Sequence, residues 1–77
     1  MAYAYKFDKQ YYKSVAGACE GFIWYNFADY IMSGLSEYID YEGFVTKYLE
    51  LEVIETDNAY IVLSESDIVE LEKQYFG

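Results

Sequence analysis

The side chains with chemistry to offer are fourteen carboxylates, eleven tyrosines and one thiol, Cys19; five lysines are the only cations, and histidine and arginine are absent. Without histidine, the usual proton carrier near neutral pH is missing. Cys19 falls on the apolar face of a helical pattern with no imidazole to activate it, so it reads as a buried structural thiol. Paired carboxylates are the residue types of glycoside hydrolysis and of metal binding. In a chain this acidic, however, close pairs also arise by chance. The stretch "DNAYIVLSESD" lacks the acidic third position and central glycine of a calcium loop, and no glycine-rich phosphate cradle is present. The expectation is a protein that is not an enzyme, with no cofactor and no metal site.

What remains is the pattern of acids. The candidate partner-binding residues are Glu37, Tyr38, Asp40, Glu42, Glu50, Glu52, Glu55 and Asp57. On a helix opened by Asp40, Glu42 and Glu50 would lie about 12 Å apart along the axis, on a face away from Tyr41, Phe44 and Tyr48. Glu37 and Asp40 precede that pair, Glu52 and Glu55 follow it, and Asp57 would sit at a hairpin tip. Duplex DNA carries about one negative charge per 1.7 Å of axis, and such a ridge could copy a few of its phosphates. The plain alternative is a solvated face that keeps a small domain soluble. Ordinary helices pair their acids with Lys or Arg at i+4, gaining about 0.2–0.5 kcal/mol per pair. Here Lys47 is the only cation between residues 14 and 72.

Short-range signals place the elements that must carry these residues. "YAYKF", residues 3–7, alternates Tyr3, Tyr5 and Phe7 against Ala4 and Lys6, as a short strand or extended arm would. From Tyr12 the apolar positions take helical spacing through Val15, Ala16, Cys19, Phe22, Ile23, Phe27, Tyr30 and Ile31. One long helix and two helices bent near Gly17–Gly21 both fit that run. Ser33-Gly34 reads as its stop and Ser36 as the cap of a short turn. Asp40 then caps a helix whose stripe is Tyr41, Phe44, Val45, Tyr48 and Leu49. Val53–Thr56 and Ala59–Leu63 read as a β-hairpin, with Asp57-Asn58 able to take the positive φ of a tight turn. "SESD" resembles a capping box, Ser64 to Asp67, opening a last helix with Ile68, Val69, Leu71, Tyr75 and Phe76. The fold class is α+β: one small domain, residues 1–77, of about three helices on a short antiparallel hairpin, to which the N-terminal segment either adds a strand or stays an extended arm.

Totals bound the rest. The net charge of −9 is uneven, because Lys6, Lys9 and Lys13 face Asp8 alone in the first thirteen residues. Such a surface repels nucleic acid and attracts basic protein clefts. Seventeen aromatic rings (eleven Tyr, five Phe, one Trp) exceed what a domain of 77 residues can enclose, so some belong at the surface or in a homodimer or partner interface. A single cysteine points to a reducing compartment. The run "GFIWYNFADYIM" is too short to span a bilayer, and no signal peptide is apparent. The expected location is the cytoplasm, with no membrane and no direct nucleic-acid partner.

"YIDYEGFVTKYL" followed by "IETDNAYIVL" resembles the C-terminal part of the ArdA antirestriction proteins, over residues 34–63. The matching positions are Tyr38, Ile39, Asp40, Tyr41 and Glu42, then Glu55, Thr56, Asp57, Asn58 and Tyr60. The resemblance implies a phage- or mobile-element-encoded DNA mimic that occupies the basic cleft of a host defence complex, either a restriction–modification enzyme or, for an anti-CRISPR protein, a CRISPR nuclease. This chain departs from that family in being long enough for only one such domain and in carrying a helix-like segment, Asp67–Phe76, after the hairpin. The competing reading is a small structural or adaptor protein whose aromatic surface, including Trp24, Phe27 and Tyr30, mediates oligomerisation while the acids serve solubility.

Overall fold

The structure is a computed structural model that describes residues 2–32 and 40–75. Strand β1 is Tyr3–Asp8, helix α1 Val15–Met32 and helix α2 Tyr41–Gly43, which passes directly into a π-helical turn, Phe44–Tyr48. Strands β2, Glu52–Glu55, and β3, Ala59–Ser64, form the hairpin, and helix α3, Ile68–Tyr75, follows. The fold is α+β, with the described helices set against a three-stranded antiparallel sheet ordered β1-β3-β2. The N-terminal strand therefore joins the sheet, and β3 lies in its centre. The expected cap and stop at Ser33, Gly34 and Ser36 lie outside the described residues.

Register decides which side chains meet the helices. Tyr5 pairs with Val62 and Phe7 with Tyr60, while Val53 of β2 pairs with Val62 on the other side. Paired residues share a face, so Tyr5, Phe7, Val53, Tyr60 and Val62 form the side that packs into the core with Cys19, Phe22, Ile23, Phe27, Val45, Leu49 and Leu71. Phe22, fully buried, is the hub. Its ring lies 5.3 Å from Tyr5, 6.3 Å from Phe7 and 6.0 Å from Phe27, each edge to face.

Helix α1 starts later than its apolar spacing suggests, at Val15 instead of Tyr12. Local hydrogen bonds hold the preceding residues in a turn: the Asp8 carboxylate accepts from Gln10 N–H at 2.8 Å, and its carbonyl accepts from Tyr11 and Tyr12 at 3.0 Å each. Ser14 then caps the helix, its hydroxyl accepting from Gly17 N–H at 3.0 Å. The chain does not break at Gly17–Gly21; the kink falls instead at Phe27, at φ −132° and ψ 32°, where two helical stretches join. Gly21 serves contact instead, since Tyr12 lies over it and packs edge to face on Phe7 at 5.1 Å.

The second helical segment also differs from a regular stripe. Asp40 caps it as expected, its carboxylate accepting from Gly43 N–H at 3.1 Å. After one turn the bonding widens, and Leu49 N–H reaches Phe44 O at 2.9 Å, while the Thr46 hydroxyl donates back to Glu42 O at 2.7 Å. Widening rotates the stripe. Val45 and Leu49 are buried, Tyr41 and Phe44 half-buried, and Tyr48 swings out to 52% exposure, stacked on Phe44. The final cap is likewise not the expected one. Ser64 ends β3 and is buried, bonding to Ser66, and Asp67 caps α3 by accepting from Glu70 N–H at 2.8 Å.

The two glycines of α1 are expected to respond differently to alanine. A Cβ on Gly21 would sit 2.5 Å from the Tyr12 ring, whereas one on Gly17 meets only the Ser14 hydroxyl, at 3.3 Å. Gly21→Ala should lose about 1–2 kcal/mol, overpacking outweighing the gain in helix propensity. Gly17→Ala should stay within about 0.5 kcal/mol of the parent. Urea unfolding of the two variants measures the difference, and equal effects would contradict the role given to Tyr12.

Candidate partner-binding surface

The acids proposed from sequence divide into those held by the fold and those left to solvent. Asp40 is exposed, but its carboxylate is engaged as the α2 cap. Glu55 is exposed and bonded to Lys9 Nζ at 2.7 Å, a pair that joins residues 46 positions apart. That lysine also lies 5.2 Å from the Tyr60 ring centroid, while Lys9 N–H donates to Asn58 O at 2.8 Å. The basic N-terminal segment is thereby fastened to the hairpin end. Glu42, Glu50, Glu52 and Asp57 are exposed and form no ion pair among the described residues. Glu37 and Tyr38 lie outside the described residues. Tyr41 is half-buried against the core, and Tyr48 is the exposed ring nearby.

Glu42 and Glu50 do not share one helix as expected, because the helix ends at Tyr48 and Glu50 lies beyond it with φ 57°. Leu51 N–H closes the turn onto Val45 O at 3.0 Å, so the left-handed residue occupies the place where a helix exit favours glycine. The free acids fall into separate groups. Glu50 and Glu52 line one groove of about 330 Å³ together with Glu65, over a floor that includes Leu49, Leu51, Leu63 and Leu71. Asp57 sits at the far end of β2, about 10 Å of strand away from Glu52. Glu42 lies on α2 near Cys19, whose thiol feels its charge. Glu65 was not singled out in the sequence, where "SESD" carried only a capping signal; the acid between two serines was the available clue.

The hairpin tip needs no left-handed residue. Thr56 closes it, its hydroxyl accepting from Ala59 N–H at 3.0 Å and Asn58 N–H at 3.3 Å while Thr56 N–H donates to Ala59 O at 2.8 Å. Glu50 is the non-glycine residue with positive φ among those described. The Asp57 carboxylate is thus presented by a turn that does not use it.

Cys19 is buried at the α1–sheet contact, and burial pushes its thiol up to about 11, with Glu42 and Asp40 adding in the same direction. At neutral pH the thiolate is a negligible fraction, which removes it as a nucleophile. Among the described residues, no three His, Cys, Asp or Glu side chains converge in a way that could hold a metal ion.

Two solution measurements follow from this geometry. Glu50→Gly should raise stability by about 0.5–1 kcal/mol, because relief of the left-handed conformation exceeds the added chain entropy; a loss would show that the side chain carries an unseen contact. The thiol's folded value stands above its ordinary 9.0, so it contributes stability that is full below pH 9 and lost as pH rises through about 11. Tyr5, raised first by burial and then by Asp67 and Tyr3, and Lys9, raised chiefly by its bond to Glu55, act with the same sign at alkaline pH. Cys19→Ala should show a shallower alkaline fall in unfolding free energy than the parent, and identical slopes would remove the thiol from that transition.

Compared with known proteins, the chain matches no family model, no curated protein sequence and no solved structure.

Proposed function

We propose that the chain is an acidic inhibitor that occupies the basic nucleic-acid-binding cleft of a host defence nuclease complex, of the restriction–modification or CRISPR type, by imitating DNA charge. The observation that carries this reading is the set of exposed carboxylates without ion-pair partners among the described residues, Glu42, Glu50, Glu52 and Asp57, with Glu50 held in a left-handed conformation that glycine would occupy at lower cost. A surface selected for solubility alone gains nothing from placing a charge there. Strain at an exposed acid is the kind of expense that function sustains. The resemblance of residues 34–63 to ArdA proteins supports the same assignment. In this reading Glu37, Tyr38, Asp40 and Glu55 flank the contact, Glu65 extends it, and Tyr48 is the ring available to stack on a partner arginine. The protein is not an enzyme, needs no cofactor and works in the host cytoplasm; no described helix is long and apolar enough to cross a membrane.

A second reading keeps one specific observation in its favour. Tyr11, Trp24 and Tyr25 stand 72%, 43% and 87% exposed, and rings of this kind anchor interfaces. Phe27, placed in that interface by sequence, is instead fully in the core, so truncating it would test folding and not assembly. The side chain of Tyr30 lies outside those described.

The deciding experiment is competition against DNA. Increasing amounts of the protein are expected to displace duplex DNA from a type I restriction–modification enzyme or a CRISPR nuclease complex, with affinity falling at least about tenfold when salt is raised from about 50 to 200 mM. Replacing Glu42, Glu50 and Glu52 with Gln and Asp57 with Asn should weaken displacement by about a hundredfold or more while leaving the fold as stable or more so, since self-repulsion is relieved. Displacement that ignores both salt and these substitutions would end the mimic reading.

A further inference from the structure

The sheet has a second face. Alternation along the strands puts Lys6, Glu52, Ile54, Ile61 and Leu63 on the side opposite the core, with Asp8 and the buried Ala59 at the hairpin end of the same face. Ile61 and Leu63 are half-buried and Ile54 is 39% exposed, yet none of the three belongs to the core or packs against it. The buried residues of α1, of the π-helical turn and of α3 all belong to the cluster on the other side. Among the described elements, then, no helix covers this face.

The sequence of β3 makes that bareness unusual. "AYIVLS" carries one polar residue, Ser64, and it points inward, buried at 3% exposure. A half-solvated antiparallel strand alternates apolar and polar residues, whereas a near-continuous apolar run belongs to a strand covered on both faces. β3 is written as the second kind and is covered as the first.

We infer that the outer face of the sheet is the interface of a homodimer, in which Ile54, Ile61 and Leu63 of two copies pack face to face. Charge placement favours a second copy as the occupant. In register, Lys6, Ile61 and Ile54 form one row and Ala4, Leu63 and Glu52 the next, so Lys6 and Glu52 stand at opposite corners of the apolar patch. A two-fold axis between Ile61 and Leu63, perpendicular to that diagonal, sets Lys6 of each copy opposite Glu52 of the other. The patch is thus complementary to itself in charge as well as in apolarity.

This interface shares Glu52 with the proposed inhibitory surface but differs from it in its response to salt. Each copy carries −9, so the copies repel at long range, and screening that repulsion should tighten the dimer while it loosens any DNA-mimic complex. Sedimentation velocity over a concentration series of the full chain is expected to show a monomer–dimer equilibrium whose Kd falls between about 50 and 500 mM NaCl. Ile61→Lys should raise the Kd at least about thirtyfold with the far-ultraviolet circular dichroism unchanged. Lys6→Glu should raise it about tenfold, and Lys6→Glu combined with Glu52→Lys should return it to within about threefold of the parent. The charge exchange decides the matter if Ile61→Lys fails to fold. A parent that stays monomeric at every concentration and salt, a dimer indifferent to Ile61→Lys, or a double variant no tighter than Lys6→Glu would each overturn the inference, the last two by assigning association to another surface.

Discussion

Phe22 is the contact on which the architecture depends. Helix α1 carries apolar residues around much of its circumference, including Trp24 and Tyr25 on its exposed side. Hydrophobicity alone therefore does not choose which side of α1 faces the sheet. Shape chooses it. The Phe22 ring meets Tyr5, Phe7 and Phe27 edge to face, and Ala18 and Cys19 one turn earlier are small enough to let the helix approach. Once that face is seated, Gly21 comes under Tyr12 and the β1–α1 turn has one path available. The same seating leaves α1 with an aromatic outer surface, a consequence of packing a helix whose rings outnumber the buried positions.

Much of the fold was legible in the sequence wherever a signal is local. The strand at Tyr3–Phe7, the Asp40 cap and the two arms of the hairpin rest on side-chain alternation, one capping carboxylate and β-branched runs. What was not legible depends on contacts across the chain. Nothing between Asp40 and Leu49 announces a π-helical turn, since a regular helix would already set Val45 and Leu49, four residues apart, on one face. The misplaced cap has a similar origin. Ser64 and Asp67 are both good caps in isolation, but Ser64 is taken into the sheet by its pairing with Tyr3, which leaves Asp67 to open α3.

The candidate surface shows the same division. That the acids are exposed followed from composition and spacing. Which of them are free did not, because a carboxylate is consumed by whatever the fold brings to it. Lys9 reaches Glu55 across the sheet, and Asp40 turns inward on its own helix. Glu50 is the instructive case. Helical spacing placed it on a ridge with Glu42, whereas the wider π-helical turn ends the helix first and leaves Glu50 as the exit residue. The charge survives at a position where backbone preference argues against any side chain.

Two features of this small domain therefore resist explanation by folding alone: a glutamate in glycine's place, and a central strand that is apolar on the side no described helix covers. They lie close together, since Glu52 follows Glu50 by two residues and pairs with Leu63 of the uncovered face. An apolar patch bordered by uncompensated acids is a poor arrangement for a solitary chain, because each feature raises the cost of the other in water. It becomes a coherent one when the apolar part is covered by a second copy and the acids are left at the margin. Glu52 would then be matched by Lys6 of the second copy, while Glu42, Glu50 and Asp57 stay outside the covered patch. On that argument one pairing answers both features at the sheet, the apolar side chains being removed from water and the nearest acid gaining a cation.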